Sequence, residues 1–189
     1  MPHESTQRTS PDRPVAPSDS PVDAPPLRSN FSLFLQEMRV RQWSKNLILF
    51  AALIFSRNLL DLPLLLRSTV AFLVFCLLSG VVYTVNDLLD LEADRQHEVK
   101  RRRPLASGRL PVRVAVSGAA LVLVVALAAA TAMGSRFLLI SVGFLAFNLA
   151  YSLVLKNIVI VDVISISISF LIRAIAGVVV LNTLHRGKL

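Results

Sequence analysis

The chain contains one cysteine, Cys76, and so forms no internal disulfide. Charge is scarce as well. Only 17% of the 189 residues are charged against 54% hydrophobic, a balance too apolar for an ordinary soluble domain. Histidine is thin, with three in all and no second His or Cys near His97, which gives little basis for a His/Cys metal centre. The first thirty residues lack any apolar run of seven or more, which excludes a secretory signal. Rich in Pro, Ser, Asp and Arg, residues 1–29 are expected to form a disordered cytoplasmic tail. No internal repeat with matching broken helices is present, which argues against a transporter.

What the chain has in abundance is long apolar blocks: residues 62–85, 112–133, 137–155 and 158–181. A helix needs about 20 mostly apolar residues to cross the hydrocarbon core, and each block meets or approaches that length. A fifth block, residues 47–55, is too short alone and could span only by recruiting the amphipathic stretch 31–45. The expectation is an all-α, polytopic membrane helical bundle of about five transmembrane helices over residues 30–189. The formal charge of +8 is compatible with nucleic acid, but the basic residues flank apolar spans. The lipid bilayer and phosphorylated substrates are therefore the natural partners, with no nucleic acid. A homo-oligomer stays open.

Orientation follows from Lys and Arg, which concentrate in short cytoplasmic loops. One group comprises Arg8, Arg13, Arg28, Arg39, Arg41 and Lys45; the other comprises Arg95, Lys100, Arg101, Arg102, Arg103, Arg109 and Arg113. Placing both inside requires two crossings between residues 47 and 86, which supports the short first span. Residues 56–61 then lie outside, residues 151–157 inside, and the C-terminus outside. The expected location is the cell (inner) membrane, multi-pass, with the active site facing the cytoplasm.

The chemistry-bearing segment begins where the second span ends: Asn86, Asp87, Asp90, Glu92 and Asp94, followed by His97, Lys100, Arg101, Arg102, Arg103 and Pro104. On a helix turning about 100° per residue, Asp87, Asp90 and Asp94 share one face, with Asn86 at its edge and Glu92 opposite. Like charges so placed repel unless a cation intervenes. Magnesium fits, because it takes hard oxygen ligands and commonly bridges one or two carboxylates to substrate phosphates; manganese accepts the same ligands. The plainer alternative is a solvated helix end whose carboxylates pair with nearby arginines. The basic run likewise has two readings, a topogenic anchor or a phosphate clamp, and both roles are compatible.

Other residues carry similar alternatives. Tyr151, Lys156 and Asp162 read as an interfacial tyrosine, a positive-inside lysine and a helix-terminal aspartate, or as a second polar cluster. Arg173 lies inside the last apolar block, where an unpaired charge costs about 3 kcal/mol, so a cavity, a phosphate or a structural ion pair must receive it. Trp43 reads as an interface anchor, His97 as a residue that could orient a phosphate, and Asn148 as a hydrogen-bonding group between helices. Pro104 is expected to close the basic loop and Pro111 to start the third span.

The string from Asn86 to Pro104 resembles the first aspartate-rich motif of the UbiA superfamily of intramembrane prenyltransferases. Residues 39–46, 94–104 and 151–177 are further similar to its decaprenyl-phosphate phosphoribosyltransferase branch. That resemblance implies a helical bundle with a polar cavity open to the cytoplasm and a side opening for a polyprenyl chain. It implies transfer of a 5-phosphoribosyl group from phosphoribosyl pyrophosphate to a polyprenyl phosphate. Asp87, Asp90 and Asp94 would be the catalytic magnesium (Mg2+) ligands. Asn86, Lys45, Lys100, Arg101, Arg103, Tyr151, Lys156, Asp162 and Arg173 would contact the substrates. Two alternatives stand beside it: a prenyltransferase using a polyprenyl diphosphate and an aromatic acceptor, and an inactive membrane fragment. The last arises because UbiA-type chains carry a second aspartate-rich motif in a later half. The resemblance therefore implies a C-terminally truncated chain, and residues 182–189 no longer look like the branch.

Overall fold

The computed structural model describes residues 29–155 and 159–185, without the side chains of residues 154, 155, 159–162 and 183–185. The elements run α1 (Asn30–Glu37), a 3-10 stretch (Val40–Phe50) leading into α2 (Ala51–Phe55), α3 (Leu62–Leu89) and α4 (Leu91–Gln96). A 3-10 turn (Lys100–Arg102), α5 (Val112–Ala132), α6 (Ser135–Ala150), a π turn (Tyr151–Leu155) and α7 (Val159–His185) complete the chain. Among the described residues there is no strand, and the expected all-α membrane bundle is what the chain forms. Among the described residues four helices are long and apolar enough to cross a membrane: Leu62–Leu89, Val112–Ala132, Ser135–Leu153 and Val163–Asn182.

The expected short first span is not among these four, and the segment before α3 is built differently from expectation. Residues 31–45 do not form one amphipathic helix continuous with it. Instead, α1 ends at Glu37 and Arg39 adopts a left-handed conformation, φ 52°, which turns the chain. From Val40 the backbone winds as a 3-10 helix. At about 2.0 Å per residue, its eleven residues advance about 22 Å, and the five of α2 add about 7 Å. The sum matches the roughly 30 Å hydrocarbon core. Its contacts agree, since Arg39 bonds Asp87 near one end of α3 whereas Leu53 packs on Leu64 at the other. Sixteen residues thus run alongside about two thirds of the length of α3.

Local chemistry sets the helix boundaries. The Asp61 side chain accepts from the Leu64 amide at 3.1 Å with Pro63 in the first turn, so α3 starts there. Pro111 is the N-cap of α5, as expected. Gly134, at φ 114°, makes the tight reversal between α5 and α6 that a side chain would strain. The core lies between α3, α5, α6 and α7, where Phe75 stacks at 5.0 Å from Phe144 and 5.9 Å from Phe137. Ala119, Ala126 and Ala130 are the small residues by which α5 approaches its neighbours. Outward-facing Leu121, Val124 and Val125 form the apolar surface that lipid requires.

A second apolar cluster positions the site. Leu33, Phe34 and Met38 from α1 and its end pack with Leu105, Leu110 and Ala115, fastening α1 and the basic loop together. Phe34 nests against Gly118 of α5 and Met38 against Gly80 of α3; a Cβ at either glycine would collide with it.

Candidate active site

The α3 helix ends one residue short of Asp90, which serves as its C-cap, and α4 restarts immediately. The break leaves the acidic residues in different surroundings, and Asp87 alone of them lines a pocket. Asp87 and Asp94 are buried, at 4% and 2% exposure, whereas Asp90 is half-buried and Glu92 exposed, paired with Arg95. Arg103 donates from one Nη1 to Asp87 Oδ1 at 3.0 Å and to Asp94 Oδ2 at 2.5 Å. Arg39 donates to both oxygens of Asp87, at 2.6 and 2.9 Å, and Lys100 Nζ stands 3.7 Å from Asp94 Oδ1. The expected pairing of these acids with arginines is therefore present, but buried rather than solvated. Among the described residues no three metal-ligating side chains converge, so Asp87, Asp90 and Asp94 do not form one cluster.

Glu37, Arg39, Asp87, Lys100, Arg102 and Arg103 wall an open cleft of about 320 Å³; Asp90 and Asp94 are not among its lining residues. Arg101 is exposed and is not among its lining residues. Asn86 Oδ1 is buried without a hydrogen-bond partner, and the buried carboxylate oxygens of Glu37 face the Asp87 carboxyl and the Leu105 backbone without closing a bond of good geometry. Glu37, 1% exposed, is pushed up to about 8 by loss of water, by its contact with Asp87 and by the charge of Asp87. The His97 ring serves the backbone instead of the cleft: its Nδ1 accepts from the amides of Val99 and Lys100, at 3.2 and 3.4 Å, and shapes the basic turn. Pro104 does not close the loop; its carbonyl accepts from the Leu110 amide, and the loop continues to Pro111.

A second polar cavity, about 120 Å³, lies deeper between the helices. Lys45, Tyr83, Asn148, Tyr151, Ser169 and Arg173 line it, so three predicted residues far apart in sequence meet here. Arg173 has neutral partners among the described residues: Nε donates to Asn46 Oδ1 at 2.7 Å and Nη1 to the Ser169 carbonyl at 2.9 Å. Its guanidinium also faces the Phe144 ring at 4.8 Å. Asn46 is buried and further donates to Cys76 Sγ at 3.3 Å. Asn148 does bond between helices, accepting from Ser169 Oγ at 3.0 Å. Lys156 and the Asp162 side chain lie outside the described residues.

Tyr83 joins the two sites. It lines the deep cavity, and the Arg39 guanidinium that grips Asp87 sits 4.8 Å from its ring centre. Sequence reasoning missed Tyr83 although it lies one helical turn before Asp87, on the same face. It also missed Glu37, Arg39 and Asn46 as site residues, reading Arg39 as topogenic and, with Asn46, as part of a branch-like segment; no local spacing links residues 37, 39 and 46 to α3 or α7.

Residues 47–185 match the UbiA prenyltransferase family. The chain belongs to that family. It is 36% identical over 163 residues to a decaprenyl-phosphate phosphoribosyltransferase of Mycolicibacterium smegmatis, covering 83% of this chain and 50% of that protein. A decaprenyl-phosphate phosphoribosyltransferase of Mycobacterium tuberculosis is 39% identical over 147 residues, covering 76% of this chain and 49% of its own. An uncharacterized protein of Sinorhizobium fredii is 38% identical over 144 residues, 76% of this chain and 28% of that protein. The chain thus spans half or less of the length of the curated relatives it matches. As a UbiA chain it is a multi-pass membrane protein of a transferase family.

Proposed function

We propose that this UbiA chain serves transfer of 5-phosphoribose from phosphoribosyl pyrophosphate to a polyprenyl phosphate such as decaprenyl phosphate, with release of pyrophosphate. The observation that carries the reading is the pair of separate cationic sites, one walled by Arg39, Lys100 and Arg103, the other by Lys45 and Arg173. Two phosphorylated substrates need two phosphate sites; an aromatic acceptor brings no phosphate and at most one carboxylate. The names of the mycobacterial relatives favour the same chemistry.

In this reading the outer cleft takes the pyrophosphate. Arg39 and Arg103 exchange carboxylate oxygens for phosphate oxygens, a trade between charge-assisted hydrogen bonds of similar strength. Lys100 adds a point charge. The residues present fit a divalent cation, since Asp87 and Asp94 offer hard oxygens and the unpartnered Oδ1 of Asn86 and the carboxylate oxygens of Glu37 lie buried nearby. Magnesium, when bound, would neutralise the leaving pyrophosphate as positive charge develops at the anomeric carbon. Asp87, which lines the cleft, would hold it, with Asp94, joined to Asp87 through Arg103, as the second carboxylate. Lys45 and Arg173 hold the lipid phosphate in the deep cavity, and Tyr83 and Tyr151 confine it. The phosphate oxygen then attacks the anomeric carbon, the bond to pyrophosphate breaks, and the electron pair leaves with pyrophosphate. The basic residues around the cleft support a cytoplasmic position for it.

Membranes containing the chain, supplied with ribose-labelled phosphoribosyl pyrophosphate, magnesium and decaprenyl phosphate, test this. Label is expected in the lipid fraction, and not when Asp87→Asn replaces the parent. A prenylated aromatic product from decaprenyl diphosphate and 4-hydroxybenzoate, with no labelled lipid, would establish the prenyltransferase alternative instead.

A further inference from the structure

Glu37 ends α1, outside the aspartate-rich segment, yet it reaches the same cleft as Asp87. Packing fixes it there: Phe34 wedges against Gly118, and Met38 against Gly80, on either side of its place in the chain. The side chain is 1% exposed; its polar neighbours are the Asp87 carboxyl and the Leu105 backbone, and neither closes a hydrogen bond of good geometry to a carboxylate oxygen. A buried carboxylate so poorly bonded is costly. Its neighbour Asp87 adds a like charge, so the natural remedy is a cation that both carboxylates share. The cations now facing Asp87 are Arg39 and Arg103, and in the outer-cleft reading both turn to phosphate oxygens when pyrophosphate arrives. Asp87 then loses its counter-charges at the moment a metal–pyrophosphate complex enters.

We propose that Glu37 is a ligand, together with Asp87, for the divalent cation that enters this cleft with pyrophosphate. The inference rests on the proposed use of the cleft for pyrophosphate and adds a ligand from a different helix. Two carboxylates suffice, because magnesium and manganese fill the rest of their coordination with phosphate oxygens and water. The contrary role is structural, Glu37 remaining a neutral acid that merely props Asp87.

Binding of Mn2+ and inorganic pyrophosphate to the purified, detergent-solubilised chain separates the two, read by Mn2+ electron paramagnetic resonance and by labelled pyrophosphate. Glu37→Gln is expected to weaken Mn2+ binding in the presence of pyrophosphate by about tenfold or more. Pyrophosphate alone should bind Glu37→Gln at least as tightly as the parent, because a negative charge has gone. Glu37→Asp, which keeps the carboxylate, should recover part of the Mn2+ affinity, and size-exclusion elution checks that each variant is folded. Parent-like Mn2+ binding by Glu37→Gln, alongside loss in Asp87→Asn, would overturn the role of Glu37 and leave the cleft's use intact. No Mn2+–pyrophosphate binding by the parent, or binding unchanged in Asp87→Asn, would overturn both.

Discussion

Arg173 donates its Nε proton to Asn46 Oδ1 at 2.7 Å, joining residues 127 positions apart and tying the first span to the last described one. Both side chains are buried, so the bond closes the bundle around a charge that lipid would not tolerate.

Removing the acceptor weakens the hold on that charge. Asn46→Leu should destabilise the bundle by about 1.5–3 kcal/mol, the worth of a hydrogen bond to a charged group, with the Ser169 carbonyl left as an acceptor for Arg173. Unfolding in mixed micelles measures it. Adding Arg173→Met should recover most of the loss, a coupling that a simple packing defect would not show.

Gly177 is a contact point rather than a hinge. A Cβ there would fall 2.3 Å from the Leu49 carbonyl oxygen, a backbone atom unable to move aside, while one at Gly143 meets nothing. Gly177→Ala should cost about 1–3 kcal/mol as the first span is pushed from α7, and Gly143→Ala should leave the melting temperature unchanged within error.

Arg103 holds two buried carboxylates apart from each other's repulsion. Arg103→Ala should lower stability by about 2 kcal/mol, less than for a fully buried pair because Arg103 is partly exposed. Arg103→Lys keeps the charge but not the planar fork, so it should fall between the two. A melting series of the three proteins checks the order.

Glu37 gives the fold a pH dependence in metal-free buffer. Its carboxyl is raised from 4.5 to about 8, so between those values the folded chain holds a proton that the unfolded chain has released. Stability contributed by the neutral acid is complete below the lower value and falls as pH rises toward the upper one, by at most about 1.4 kcal/mol per pH unit for one proton. Melting temperatures in EDTA from pH 5 to pH 8 should decline for the parent and stay flatter for Glu37→Gln.

The long apolar blocks and the acidic string were legible because their signals are local: about 20 apolar residues for a span, and carboxylates three or four positions apart for a shared face. Helical periodicity carried less far at Asp90, where the backbone breaks and restarts, so Asp87 and Asp94 converge by a turn and not by one continuous helix face. The first span was mismeasured because hydropathy counts residues, whereas a 3-10 winding changes the length each residue covers. Arg39, Glu37 and Asn46 meet α3 and α7 through tertiary packing alone. Gly80 and Gly118 make that packing possible, and neither signals it from sequence.

The central claim is that the chain holds two anions at once, pyrophosphate in the outer cleft and a lipid phosphate in the deep cavity. Simultaneous binding of labelled pyrophosphate and labelled decaprenyl phosphate to the purified chain, with magnesium present, tests it. Each ligand is expected to saturate in the presence of the other, with Arg103→Ala weakening pyrophosphate alone and Lys45→Met weakening the lipid alone. Mutual displacement, or either variant weakening both ligands equally, would mean one shared site and contradict the account.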